Sequence, residues 1–129
     1  MPNSLGRRPT HGHVVIIDDN EGVCQSLSLM LRARGYKIDT YGDGKSVLED
    51  MDADKPTCFL IDYKLPHMTG IDLLQAMRAR GMDAPAFMIT GFYSPGLAQK
   101  AQDVGFGDVI EKPLPAAELL SKIEGLGMA

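Results

Sequence analysis

Four places along this chain carry side chains that could do chemistry together: Asp18-Asp19, Asp62, Thr90 and Lys112. Each directly follows a short apolar run. Val14-Val15-Ile16-Ile17 leads into Asp18-Asp19, Cys58-Phe59-Leu60-Ile61 into Asp62, Ala86-Phe87-Met88-Ile89 into Thr90, and the weaker Val109-Ile110, with Glu111, into Lys112. Three carboxylates gathered in one place repel, which raises at least one of their pKa values. A divalent cation and an ammonium group would remove that penalty, and Mg²⁺ favours hard oxygen ligands of this kind. A carboxylate nucleophile, Mg²⁺, a lysine and a hydroxyl donor suit phosphoryl transfer, where positioning and charge neutralisation are most of the catalysis. Taken singly, each piece has a plainer role: Asp18-Asp19-Asn20 as a helix cap, Asp62 as the start of a loop, Thr90-Gly91 and Lys112-Pro113 as turns. Their recurrence at the ends of successive apolar runs favours a shared site.

The elements that must position these residues are legible in the same runs. Unbroken rather than alternating apolar character marks strands covered on both faces, as in a parallel sheet. Tyr36 to Tyr41 alternates and suits a strand nearer the sheet edge. Helical spacing appears in Val23, Leu27, Met30 and Leu31, closed by Gly35, and in Ile71, Leu74 and Met77 before Gly81. Ser94-Pro95 reads as a cap and first helical residue of a helix ending near Gly105. Lys45 to Met51 forms a short helix and Ala116 to Ile123 the last one. Strand and helix thus alternate five times. Right-handed crossovers then give a three-layer α/β domain. In an open parallel sheet, ligands bind beyond the carboxyl ends of the strands, so all five polar residues would crowd one rim.

Composition narrows the classes. The chain has 129 residues, 44% of them hydrophobic, which fits one domain with its own core. No apolar run approaches the roughly 20 residues that span a bilayer. The formal net charge is −4, and residues 1–12 hold Arg7 and Arg8 but no acid, so the remainder is more acidic still. An acidic domain is poorly suited to gripping nucleic acid phosphates. Residues 1–12 read as a flexible tail ahead of a domain over 13–129. Arg7-Arg8 is not an export signal here, because the only apolar stretch behind it is Val14–Ile17. Cys24 and Cys58 sit in apolar segments and read as reduced core residues of a cytoplasmic protein. His67 reads as solvent-facing, and an imidazole would be out of keeping with an oxygen-ligated ion; His11 and His13 bring no further ligands.

From about Val14 to Ile123 the sequence resembles the receiver domain of bacterial two-component response regulators, most nearly those of the nitrogen-fixation transcription-regulator type. The residues carrying the resemblance are Val14 to Asn20, Asp62 to Gly70, Met88-Ile89-Thr90-Gly91 and Ile110-Glu111-Lys112-Pro113-Leu114. It implies a flavodoxin-like (βα)5 sandwich with strand order 2-1-3-4-5. It also implies that Asp62 accepts a phosphoryl group from a histidine kinase or a histidine phosphotransfer protein. Asp19, Asp62 and the Lys64 main-chain carbonyl would ligate Mg²⁺, with Asp18 acting mainly through a metal-bound water. Lys112 would pair with the phosphoryl group, and Thr90 would move to bond it. Gly70 would supply a permissive backbone turn, and Lys112-Pro113 resembles a peptide bond often cis in this family. Lys64 and Phe92, two positions after Asp62 and Thr90, border the site and tend to tune the phosphorylated lifetime. The result would be a switch, not an enzyme, that changes its affinity for a downstream protein. A second copy, through the face of the fourth helix, fifth strand and fifth helix, is another partner to consider.

The sequence departs from the family pattern at Val109, where a switch aromatic is usual. Phe106 and Phe92-Tyr93 are the nearby aromatics, with Phe106 the better fit to a core plug. Phe92, Tyr93, Leu97 and Phe106 are the apolar residues expected to be exposed on that surface. The chain stops at Ala129, soon after the last helix, so a natural single-domain regulator is the expectation and an excised receiver the alternative. Other functions fit parts of the same residue set. A phosphorylation-independent docking module with the same fold gains weight from Val109 and loses it from the intact polar set. A hydrolase of the haloacid dehalogenase type also uses an aspartate nucleophile with Mg²⁺. It would place Asp-x-Asp after the first strand and add a cap domain, for which this chain has no room.

Overall fold

The computed structural model describes residues 12–50 and 56–126. Its elements in chain order are β1 (Gly12–Ile17), α1 (Glu21–Arg32), β2 (Tyr36–Tyr41), α2 (Gly44–Asp50), β3 (Cys58–Asp62), β4 (Lys64–Leu65), β5 (Met68–Thr69), α3 (Gly70–Ala79), β6 (Ala86–Thr90), α4 (Pro95–Val104), β7 (Asp108–Glu111) and α5 (Ala116–Glu124). The tail reading for residues 1–11 and the Met51 end of the second helix lie outside the described residues. Gly12 itself is paired with Tyr36, so the first strand begins two residues ahead of the Val14–Ile17 run and takes in the last residue assigned to the tail. Its φ of +125° is one that a residue with a Cβ would rarely adopt.

The main sheet is parallel, in the order β2-β1-β3-β6-β7. Leaving aside the antiparallel hairpin β4-β5, this is the 2-1-3-4-5 order. The hairpin was not foreseen: its strands are two residues each, too short to show any hydrophobic period. β2 is an edge strand, which is why it alternates between buried and open positions while β3 and β6 are buried throughout.

Successive strand residues point to opposite faces, and the core divides accordingly. On one face Val14, Ile16, Leu60 and Ile89 meet α1 and α5 through Leu27, Leu31, Leu119 and Ile123. On the other, Val15, Ile17, Phe59, Ile61 and Met88 meet Val47 of α2, Leu73 and Met77 of α3, and Leu97 and Ala101 of α4. The three layers are therefore α1 and α5, the sheet, and α2 to α4. Phe106 is 3% exposed and belongs to the second cluster, as does Leu97. Of the four apolar residues expected on the outer surface, only Phe92 and Tyr93 are there. Leu97 lies on the inward stripe of α4, and the turn at Gly105 sends Phe106 under that helix.

Helix caps fix where each crossover starts. The Asn20 side chain accepts from the Val23 amide and the Ser94 hydroxyl from the Leu97 amide, each at 3.1 Å. Thr69 and Asp72 form a reciprocal capping box at the start of α3. Gly105, at φ +113°, ends α4. Asn20 is thus the capping residue of its run, which leaves Asp18 and Asp19 for the rim.

Candidate functional site

Asp18, Asp62 and Thr90 leave the carboxyl ends of β1, β3 and β6, and Lys112 follows β7. Because β1, β3, β6 and β7 are consecutive neighbours, their ends line one edge of the sheet. Carboxylate oxygens of Asp18, Asp19 and Asp62 all lie within 4.8 Å of one another. Asp18 is 1% exposed, Asp62 7% and Thr90 fully buried, while Asp19 is open to solvent.

Two of the three acids are held differently. Asp18 is saturated: its amide donates to the Tyr41 carbonyl, one carboxylate oxygen accepts from the Asn20 amide at 2.9 Å, and the other accepts from Lys112 Nζ at 2.8 Å. The Cys24 thiol donates to the Asp18 carbonyl at 3.3 Å. Asp62 is held more loosely, with its Oδ2 at 3.5 Å from Lys112 Nζ. Burial, and then the neighbouring Asp18 charge, push the Asp62 carboxyl up to about 6, with Lys112 pulling the other way. Burial alone would lower the Lys112 ammonium. The hydrogen bond to Asp18 and the charges of Asp62 and Asp18 outweigh it and raise the lysine, so it stays charged.

The cluster therefore carries two more negative than positive formal charges when fully ionised. Three hard oxygen donors within one hydrated ion's reach fit a small divalent cation better than a soft metal. The backbone beneath is shaped to match. A Cβ on Gly70 would stand 2.5 Å from the Asp62 carbonyl oxygen, so only glycine lets α3 start this close. The amide of Gly70 donates to the Tyr63 carbonyl at 2.7 Å and that of Tyr63 to the Ile89 carbonyl at 3.0 Å. These bonds fix the path between Asp62 and Lys64. Lys112-Pro113 is cis, as the resemblance implies.

On the Thr90 side, the hydroxyl oxygen accepts from the Phe92 amide at 2.9 Å, and the Lys112 amide donates to the Thr90 carbonyl at 2.8 Å. Val109 is half-buried and lines a cleft of about 600 Å³ together with Tyr93, Lys112, Pro113 and Glu118. Tyr93 shares this cleft with Val109, while the buried Phe106 belongs to the core cluster against which Val109 packs.

Three contacts escaped the reading of the sequence. The Lys64 ammonium sits 4.3 Å from the centroid of the Phe92 ring. The resemblance puts both positions beside the site, but nothing in their spacing shows that they touch. His13 Nε2 lies 2.7 Å from Asp39 Oδ2 across the β1–β2 pair; the register opposes His13 to Lys37, which conceals this diagonal. Lys122 pairs with Asp108 beside α5.

The response regulator receiver domain matches residues 14–124. The chain belongs to that family. This receiver is 30% identical over 115 residues to the transcriptional regulatory protein FixJ of Bradyrhizobium diazoefficiens, covering 89% of this chain and 56% of that protein. It is 29% identical to the response regulator MprA of Mycobacterium leprae over 88% of this chain and 50% of that one. The receiver thus spans about half the length of these curated relatives. Among solved structures, it resembles the chemotaxis response regulator CheY4 of Vibrio cholerae with a TM-score of 0.83, at 27% identity over 91% of this chain and 99% of that one. A CheY-like receiver domain protein of Methanospirillum hungatei JF-1 gives 0.80 at 28% identity, over 89% and 93%. The receiver is a signalling domain of the two-component type, controlled by phosphorylation. Among its described residues, no helix is long and apolar enough to cross a membrane.

Proposed function

We propose that Asp62 is the phosphoacceptor and that a histidine kinase or a histidine phosphotransfer protein is the donor. The observation that carries this is the asymmetry at Lys112: its ammonium is hydrogen-bonded to a saturated Asp18, while an oxygen of Asp62 stays 3.5 Å away. Asp62 attacks the phosphorus of the donor's phosphohistidine. A carboxylate O–P bond forms, the N–P bond breaks, and its electron pair returns to the imidazole. Lys112 lies against the Asp62 carboxylate, where it pairs with an oxygen of the incoming phosphoryl group. Thr90, one strand over, turns its hydroxyl from the Phe92 amide toward another. Asp19, Asp62 and the Lys64 carbonyl would hold Mg²⁺, with Asp18 acting mainly through a metal-bound water, and the ion would offset negative charge gathering at the transferring group. Rearrangement around Thr90 then changes the affinity of the outer surface of α4, β7 and α5 for a downstream protein or a second copy. The acidic balance speaks against direct contact with nucleic acid. The role is that of a cytoplasmic switch and not of an enzyme acting on external substrates.

The test is incubation with acetyl phosphate and Mg²⁺. One acid- and base-labile phosphoryl group per chain is expected, and Asp62→Asn should lose it. Acceptance by that variant at the wild-type rate overturns the assignment. Val109 favours one second reading, a docking module indifferent to phosphorylation; amide spectra unchanged by beryllofluoride and Mg²⁺ would select it.

A further inference from the structure

Phe92 is tied down twice. Its amide donates to the Thr90 hydroxyl oxygen at 2.9 Å, and its ring lies under the Lys64 ammonium at 4.3 Å. Otherwise it is loosely placed. The residue is 60% exposed, neighbouring Tyr93 is 46% exposed, and a Cβ added at Gly91 would meet nothing within 4 Å. No aromatic stands at position 109 to follow Thr90 inward.

We infer that Phe92 is the element that reports phosphorylation in this receiver, because the incoming group competes for both of its tethers. The inference rests on Asp62 being the phosphoacceptor and Thr90 bonding the phosphoryl oxygens. The Thr90 hydroxyl donates its proton to the phosphoryl group, and the side-chain rotation that brings it there carries Oγ away from the Phe92 amide, which loses its acceptor. The charge at the site changes at the same time. Three carboxylates against one lysine leave two negative charges, which a divalent cation cancels. Exchanging the Asp62 carboxylate for a nearly doubly charged acyl phosphate makes the site negative again. Lys64 is in β4, two residues beyond Asp62, and its ammonium ends a flexible four-carbon stem. An ammonium over an exposed ring is weakly held, and an acyl phosphate carries its charge outward from the Asp62 carboxylate on three new oxygens, which offer the lysine charge-assisted hydrogen bonds. The lysine therefore swings from the ring toward the phosphoryl group. Phe92 is released and the loop from Gly91 to Ser94 rearranges, carrying Tyr93 with it. Lys64 and Phe92 act through the phosphoryl group and Thr90; both are positioning residues.

The experiment is side-chain NMR of the full chain with beryllofluoride and Mg²⁺, which reproduce the phosphoryl group without transfer. In the free protein, the Lys64 ε-methylene protons should lie upfield of those of the other lysines because they sit over the Phe92 ring, and Phe92→Leu should abolish that displacement. Adding beryllofluoride and Mg²⁺ should move the Asp62 amide, return the Lys64 protons to the ordinary lysine position and shift the Phe92 ring signals. In Lys64→Gln the Phe92 ring signals should start close to those of the liganded wild type. A moved Asp62 amide with Lys64 still displaced overturns the inference and leaves the site reading intact. An unmoved Asp62 amide overturns both. Lys64 protons at the ordinary position in the free protein also overturn it.

Discussion

The loops following Asp62 and Thr90 leave adjacent strands at the same rim, yet they are built in opposite ways. After Asp62 the chain is pinned at several points. Tyr63 donates to Ile89, Lys64 and Leu65 pair with Thr69 and Met68, Leu65 is buried, and the capping box of Thr69 and Asp72 locks the entry to α3. After Thr90 the chain has an open glycine, two exposed aromatics and an amide that donates to the Thr90 hydroxyl. The contrast separates two tasks. On the proposed assignment, a nucleophile at Asp62 must be held still to sit in line with its target, while the group that registers the product must be able to leave its resting partner. Rigidity is concentrated where chemistry needs it and withheld one strand away.

The contrast is broken most directly by the two glycines. Gly70→Ala drives a Cβ against the Asp62 carbonyl, a backbone atom that cannot step aside. It should cost about 2–3 kcal/mol in urea unfolding and slow phosphorylation by acetyl phosphate. A loss under about 0.5 kcal/mol would mean that the pinned loop is softer than described.

A smaller effect is expected from the charge that the rigid loop holds in place. Without a divalent cation, the folded chain keeps a proton on Asp62 up to about pH 6, whereas the unfolded chain releases it near 3.8. A raised carboxyl pKa contributes stability at low pH that is lost as pH climbs through that window. Asp62→Asn should therefore be more stable than wild type by about 1–2 kcal/mol at pH 7.5 in chelated buffer, after allowance for solvent screening. The gap should close below about pH 4, and Mg²⁺ should narrow it by stabilising only the wild type. Equal unfolding midpoints across this range would contradict the crowding of the carboxylates.

Thr69→Ala removes one half of the capping box and should cost about 1 kcal/mol. On the other side of the comparison, Gly91→Ala should change stability by less than about 0.5 kcal/mol, since its new methyl meets nothing. Thermal or urea unfolding of the pair measures whether the two loops differ as their contacts imply. A large loss at Gly91 would erase the distinction.

Much of this architecture can be read without coordinates. The runs Val14–Ile17, Cys58–Ile61 and Ala86–Ile89 have to be strands covered on both faces, and the residues ending them have to share a rim once the strands are parallel. Asn20, Ser94 and Gly105 punctuate helices through local backbone geometry alone. Leu97 is buried where an exposed position is expected, and Phe106 is the core plug, the better of its two readings; each is a single apolar residue near a helix end, where periodicity does not say which way the chain turns. The β4-β5 hairpin is too short for any period to register.

Chain order, helical spacing and the identity of the five polar residues follow from the sequence by itself, because each depends on near neighbours and on burial repeated along an element. Tertiary structure alone decided that Lys112 grips Asp18 more closely than Asp62, that Tyr93 and Val109 line one cleft, and that Lys64 rests on Phe92. Each of those is a choice among partners brought in from distant segments, settled by ångström differences in where loops leave the sheet, and no pattern along the chain encodes such distances.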